Sequence, residues 1–219
     1  MSTEVDHLVV AAATLDEGVR WCEATLGLTP AAGGRHDFMG THNRVLATSS
    51  AAFPRSYLEI IAVDPQAAPL QRLRWFGLDD AQQQARLRAE GPRLIHVVVR
   101  THEMETHRWG LINKGLNPGP LVEGQRDSEH GPLAWRITVR DDGRLLAGGV
   151  LPTLIRWDSA HPADHMPDQG ARLLSLRLDG LPAVARELLR IKGVEADPQA
   201  PPRLSAVVAT PQGEVSLQS

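Results

Sequence analysis

The apolar positions of this chain repeat a phrase. Residues 4–11 alternate as a strand containing Val5-Asp6-His7-Leu8-Val9-Val10, and Leu15, Val19, Cys22 and Leu26 then fall at helical spacing on one stripe. Thr14 and Glu17 read as a capping box that starts this helix, and Gly27 as its left-handed stop. The phrase returns as Leu94-Ile95-His96-Val97-Val98-Val99, followed by a helical stretch from Thr101 to Lys114 that stops at Gly115. His7 stands 20 residues before Gly27 and His96 stands 19 before Gly115, so each copy carries a histidine at the same point of its strand. A fainter third copy runs from Leu173 to Gly193, again 20 residues, with leucine in place of the histidine.

Around these anchors the pattern predicts further strands. In the first copy they fall near 43–48 and 56–63 after a turn at Ala31–Gly34, giving β-α-β-β, or β-α-β-β-β if Arg35–Phe38 is extended. In the second copy they fall at 133–140, 144–150 and 152–157, with Asp141-Asp142-Gly143-Arg144 as a hairpin turn. In the third, strands at 172–178, 204–209 and 214–218 flank a helix over Leu181–Lys192. A polar, helix-prone segment from Leu70 to Glu90 reads as an inserted connection that covers a site or an oligomer interface, or else as a solvated linker. The expected organisation is a first module over 1–66, a connector over 67–92, a second module over 93–160, and a loop with a third, partial βαββ unit over 161–219.

Composition narrows the function classes. With 42% hydrophobic and 22% charged residues the chain is an ordinary globular protein, and a net charge of -3 gives no reason to expect nucleic acid or an anionic membrane as partner. No apolar run approaches a membrane span, and the N-terminus enters a strand with no secretory leader. A single cysteine, Cys22, excludes an intrachain disulfide and fits a reducing cytoplasm; on its apolar stripe it reads as a small buried hydrophobe. Nine histidines against one tyrosine and three phenylalanines direct attention to the imidazoles.

Strand alternation places Val5, His7 and Val9 on one face, Leu94, His96 and Val98 on another, and Tyr57, Glu59 and Ile61 on a third. Glu59 lies within an apolar strand, where an unpaired carboxylate is costly, so a metal ion, a basic partner or solvent must compensate it. A lone strand histidine is more often a hydrogen-bonded core residue, and a lone strand glutamate more often faces solvent. Equivalent placement in duplicated units sets this group apart: two imidazoles and a carboxylate from separate strands suit a divalent metal with open positions. His36 and His42, beside Arg35 and Arg44, are candidates for acid–base work or for holding loop backbone. In the Asp158–Asp168 loop His165 reads as solvated; His102, His107 and His130 read as surface residues. No Gly-x-Ser-x-Gly elbow or Cys-x-x-Cys pair offers a rival chemistry.

The chain resembles the vicinal oxygen chelate superfamily, in its glyoxalase-like branch. The resemblance is carried by Asp6-His7-Leu8-Val9-Val10, Leu26-Gly27-Leu28, Gly33-Gly34-Arg35-His36, Gly40-Thr41-His42-Asn43, Tyr57-Leu58-Glu59-Ile60-Ile61 and Trp157-Asp158-Ser159-Ala160-His161-Pro162, spread over residues 5–162. It implies an α+β fold of paired βαβββ modules whose sheets curl into an open barrel around a divalent metal, whether Fe, Mn, Zn or Ni. His7, Glu59 and His96 would be the metal ligands, and His36, His42 or His161 would move protons. Asn43, Tyr57 and Trp157 would line the substrate. The chain departs from the four-ligand pattern on the last strand of the second module. There Ile155 or Arg156 stands where a carboxylate is expected, leaving a two-histidine, one-carboxylate triad or Arg156 as a cationic clamp for a substrate carboxylate. The expected function is a metal-dependent isomerase, lyase or dioxygenase that chelates vicinal oxygens of a small molecule. The alternative is a metal-free protein that sequesters a small molecule. The sequence leaves open whether the modules pair within one chain or between two as a homodimer.

Overall fold

A computed structural model describes residues 2–219. The first half comprises β1 (Glu4–Ala11), α1 (Leu15–Leu26), β2 (Ala31–His36), β3 (Thr41–Ala47) and β4 (Tyr57–Val63). A connector with helix α2 (Ala81–Glu90) leads to β5 (Arg93–Arg100), α3 (Met104–Ile112), β6 (Leu121–Arg126), β7 (Leu133–Thr138) and β8 (Thr153–Trp157). The start of α1 is built as its sequence requires: Thr14 accepts from the Glu17 N–H at 3.2 Å, and Gly27 closes the helix at φ 68°.

All eight strands form one sheet in the order β2-β3-β4-β1-β5-β8-β7-β6. β1 is parallel to β4, β5 is parallel to β8, and β1 joins β5 antiparallel, so the two modules pair within a single chain. The sheet curls until its free edges, β2 and β6, approach one another, and Arg126 of β6 lies against Gly33 and Gly34 of β2. One core fills the space between the outer sheet face and the helices, with Leu8, Cys22, Leu26, Leu58, Ile60 and Leu154 fully or almost fully buried. A second core, with Val9, Met39, Ile61, Trp75, Phe76, Trp135 and Ile155, fills the inside of the curl. Each large aliphatic side chain buried in this way contributes roughly 1.5–3 kcal/mol.

The chain ends in a separate four-stranded sheet made of β9 (Arg172–Asp179), β10 (Val194–Glu195), β11 (Arg203–Thr210) and β12 (Gly213–Gln218), with helix α4 (Ala183–Leu189). Its order is β10-β9-β11-β12, so the first strand pairs with the second and third. In both modules the first strand pairs with the last, so the third unit shares their element types and lacks their topology. No helix among the described residues is long and apolar enough to cross a membrane.

Four expectations are corrected. Ala31–Gly34 is not a turn but belongs to β2, an edge strand whose register slips at Gly33 and Gly34. No strand occupies 144–150; that segment is loop with a short 3-10 turn at Ala147–Gly149, because Gly143, Gly148 and Gly149 all take positive φ. The missing strand is β6, unrecognised because Glu123-Gly124-Gln125-Arg126 is mostly polar and lies at an open edge. The alternation in β1 and β5 is also broken by bulges, between Val5 and His7 and beside His96. Val5 and Leu94 therefore pack in the outer core, while His7 faces inward.

Candidate functional site

The inside of the curl holds a narrow pocket, lined on the first module by His7, His36, Asn43, Tyr57 and Glu59. Trp135, Ile137, Ile155 and Trp157 line it from the second module, Trp75 and Phe76 from the connector, and Arg126 lies at its mouth. Parallel pairing of β1 with β4 sets His7 opposite Tyr57, and their rings stack at 4.7 Å. Glu59 lies two residues further along β4, and therefore on the same face.

A hydrogen-bonded chain crosses the floor of this cavity. The Gly34 N–H donates to Asn43 Oδ1 at 2.8 Å, which fixes the amide so that Nδ2 donates to Glu59 Oε1 at 2.6 Å. Glu59 Oε2 is left free and lies 3.6 Å from His7 Nε2. On its other side the ring donates from Nδ1 to Asp6 Oδ1 at 2.7 Å. Asp6 Oδ2 accepts in turn from Trp157 Nε1 at 3.0 Å and from His161 Nε2 at 2.9 Å. The Ala163 N–H donates to His161 Nδ1 at 3.1 Å, so the proton of that ring is on the Nε2 facing Asp6.

Asp6 is wholly buried. Burial alone would raise its carboxyl, but the hydrogen bonds from His161 and His7 outweigh that and hold it well below the usual carboxylate range. A permanently ionised Asp6 keeps the His7 proton on Nδ1. The Nε2 lone pair then faces the cavity and the free oxygen of Glu59, two acceptors at a distance too long for a hydrogen bond. This pair can take a proton from a bound molecule or share a cation. Burial, with the Asp6 and Glu59 carboxylates, pushes the Tyr57 phenol well above its ordinary range, so Tyr57 enters the site as a neutral hydroxyl.

His36 is buried against Trp75 and Trp135, its Nδ1 3.1 Å from Thr41 Oγ1. Burial, reinforced by Arg126, lowers its pKa to about 3, so the ring is neutral at ordinary pH. His42 alternates with Asn43 on β3 and does not line the cavity; burial lowers its pKa as well. His161 holds Asp6 from behind and does not line the cavity either.

His96 does not join His7 and Glu59. Its Nδ1 is 2.7 Å from the Gly149 carbonyl, and its Nε2 accepts from the Thr153 N–H at 3.2 Å with Thr153 Oγ1 at 2.9 Å. Both nitrogens are thus spent, and burial lowers the pKa of the ring to about 4. It borders a separate pocket, beside Thr138, Arg140 and Arg144. Trp75 and Phe76 line both pockets, and the Phe76 ring lies 5.3 Å from the His96 ring. Among the described residues no three His, Cys, Asp or Glu side chains converge to hold a metal. His7 and Glu59 have the free donor atoms and the outer hydrogen bonds from which a metal site is built. As the three-ligand centre expected with His96, the set does not fit.

Alternation also decides the last strand of the second module. Ile155 and Trp157 point inward, and Arg156 points outward to Asp158 at 3.4 Å, so it is no clamp for a ligand in this cavity. His107, expected at the surface, is buried with its Nδ1 2.9 Å from Thr101 Oγ1. The lining residues Trp75, Phe76 and Trp135 were missed, as were Asp6 and Arg126. Asp6 is turned inward by the bulge in β1, and Arg126 is on the unrecognised β6. The adjacency of Asp6 to His7 was the one available signal for the first.

The sequence matches the glyoxalase-like domain family over residues 5–206. This chain belongs to that family. The family lies in the vicinal oxygen chelate superfamily, and the curled sheet of paired βαβββ modules has its fold. No protein of curated function matches the sequence. Among solved structures, a hypothetical protein from Staphylococcus aureus is similar over 99% of this chain and 85% of its own, with 12% identity and a TM-score of 0.56. A methylmalonyl-CoA epimerase from Streptomyces coelicolor is similar over 74% of this chain and 99% of its own, at 17% identity and a TM-score of 0.45. The Mycobacterium tuberculosis methylmalonyl-CoA epimerase is similar over 71% and 87%, at 18% identity and a TM-score of 0.40.

Proposed function

We propose that this glyoxalase-like protein is an enzyme that moves a proton on a small oxygenated organic molecule held in the inner cavity. The observation that carries the reading is His7, its Nδ1 locked to a buried ionised Asp6 and its Nε2 presented toward Glu59. In a bound ketone or related carbonyl compound, the bond between hydrogen and the carbon next to the carbonyl breaks. The proton goes to His7 Nε2 and the electron pair to the carbonyl oxygen. Asp6 and Glu59 flank the imidazolium so formed, and return of the proton to carbon or oxygen completes an isomerisation or epimerisation. The chelating version of this chemistry, with a divalent metal on His7, Glu59 and His96, requires His96 Nε2 to leave Thr153 for the metal, with Nδ1 kept on the Gly149 carbonyl. No step is therefore assigned to a metal.

A binding protein without catalysis is the second reading. It is favoured by the walls of Tyr57, Trp75, Trp135 and Trp157, which give a ligand stacking surfaces on several sides. Deuterium exchange into a panel of small carbonyl compounds, charged and neutral, followed by NMR in D2O, separates the two. Exchange should be catalysed by the wild type, survive chelator, and fall by about 10²-fold or more in His7→Gln. Equal exchange in His7→Gln, or exchange abolished by chelator and restored by metal, overturns the proposal. Binding without any exchange establishes the second reading.

A further inference from the structure

The pocket that holds His7 and Glu59 is too small, as it stands, to admit a substrate. Its free space is about 30 Å³, enough for water and far below the roughly 300 Å³ or more of an ordinary ligand pocket. Just outside, at the gap between the edges of β2 and β6, lies a vestibule of about 530 Å³. Val45, Arg126, Pro162 and Met166 line both spaces. The room inside is taken by the connector. Trp75 and Phe76 stack on each other at 5.2 Å. Trp75 packs edge-on against His36 and Phe38, and Phe76 lies against His96.

This pair is held under strain. Phe76 takes φ 57° and ψ 24°, a left-handed conformation that a bulky side chain rarely adopts, and Gly77 continues it at φ 65°. The Trp75 indole Nε1 is buried without a hydrogen-bond partner among the described residues. Both costs are relieved if the segment turns out to water. The chain on its N-terminal side can yield: Pro65, Gln66, Ala68, Pro69, Gln71 and Leu73 are exposed, and no backbone N–H from Ala68 to Leu73 donates to another described residue. What fastens the pair comes from the rim. Gln83 Nε2 donates to the Phe76 carbonyl at 2.9 Å, and the Gly77 N–H to the Gly143 carbonyl at 2.8 Å. Arg74 donates to Asp79 Oδ1 at 2.6 Å and to the Gly40 carbonyl at 3.2 Å.

We infer that Trp75 and Phe76 form a displaceable plug. The state described above is the closed one, and a molecule from the vestibule reaches His7 Nε2 only when the connector lifts the pair out of the barrel. Burial of two aromatic rings favours the closed state, while the left-handed Phe76 and the orphaned indole N–H narrow its lead. A bound molecule then takes the space that the rings give up. The inference rests on the proposed proton transfer only for the use of the opened site; the opening itself is measurable without turnover.

Acylation of histidine by diethyl pyrocarbonate, located by peptide mass spectrometry, reads the opening, because the reagent is larger than the closed pocket. His7 presents its Nε2 lone pair and should react through local opening. His107, buried elsewhere against Thr101, reports unfolding. Sub-denaturing urea should speed His107 steeply and His7 only slightly, since lifting two residues exposes little surface. Gln83→Ala, which frees the Phe76 carbonyl, and Asp79→Ala, which frees Arg74, should each speed His7 about fivefold and leave His107 unchanged. Catalysed deuterium exchange into carbonyl compounds should rise in the same variants. The inference is overturned if His7 and His107 react alike with the same urea dependence, or if neither variant speeds His7. It is also overturned if exchange stays at the wild-type rate while His7 acylation rises. Faster acylation with no exchange on any compound, in wild type or variants, removes the enzymatic reading and leaves the plug standing.

Discussion

Trp157 Nε1 donates to Asp6 Oδ2 across 151 positions of sequence, tying the last strand of the second module to the first strand of the first. It is one of three donors on a carboxylate that has no access to solvent. The orientation of the His7 ring therefore depends on a residue from the far half of the barrel. Asp6→Asn should destabilise the protein by about 3–5 kcal/mol, as when one member of a buried charged network is removed. It should also release the His7 tautomer. Urea unfolding reads the first effect and 15N shifts of the imidazole the second. Trp157→Phe should cost only about 1–3 kcal/mol, because two donors to Asp6 remain.

Acid should unfold this protein early. His36 and His96 are neutral in the fold, with pKa values lowered to about 3 and about 4, whereas in the unfolded chain they titrate near 6.5. Between those limits the unfolded state binds more protons, so stability is full above about pH 6.5 and falls as pH drops toward 4, by about 1.4 kcal/mol per pH unit for each ring. Asp6 adds to the loss below about pH 4, since its folded value is depressed and its stabilisation disappears as it protonates. Urea midpoints from pH 7.5 to 4.5 should fall steeply in the wild type and less steeply in His36→Asn. A flat profile in the wild type contradicts the burial of these rings.

The glycine pair at the edge of β2 gives a packing test. Gly33→Ala places a methyl group against the Asn43 side chain and backbone. It should cost about 1–3 kcal/mol and loosen the hold of Asn43 on Glu59. Gly34→Ala meets the flexible end of Arg126 instead, so its effect on stability should be smaller. Equal melting temperatures for both variants would show that the strand edge yields freely at either position.

Elemental analysis of untagged protein checks the metal fit. With His96 held at both nitrogens, the purified wild type should carry no stoichiometric transition metal, and chelator should leave its melting temperature unchanged. Near-stoichiometric metal that is lost in Glu59→Ala would show that His96 exchanges Thr153 for a metal.

Much of this site was legible in the sequence because strand alternation is a strong rule where backbones are regular. It placed Tyr57 and Glu59 on one face of β4, while the resemblance put Asn43 at the site and left Ile155 or Arg156 where a carboxylate is expected. It failed where the backbone departs from period two. A bulge turns Asp6 inward next to His7, so a residue assigned by count to the opposite face becomes the anchor of the imidazole. The repeat also misled over His96, since its equivalence to His7 holds for the strand but not for the surroundings. The loop between β7 and β8, longer than the one between β3 and β4, brings the Gly149 carbonyl to one nitrogen, and Thr153 takes the other. Arg126 was hidden by its polar edge strand, whose purpose shows only when the sheet is seen to curl back on itself.

Trp75 and Phe76 divide the interior, and the edges of β2 and β6 meet without a ladder of backbone hydrogen bonds. A duplicated barrel would ordinarily offer two equivalent mouths. Here the connector wedges itself between the chambers, and the working one opens at a seam closed by an arginine lying over two glycines. Access to that chamber is thus set by side chains at an unstitched edge and not by a backbone ladder.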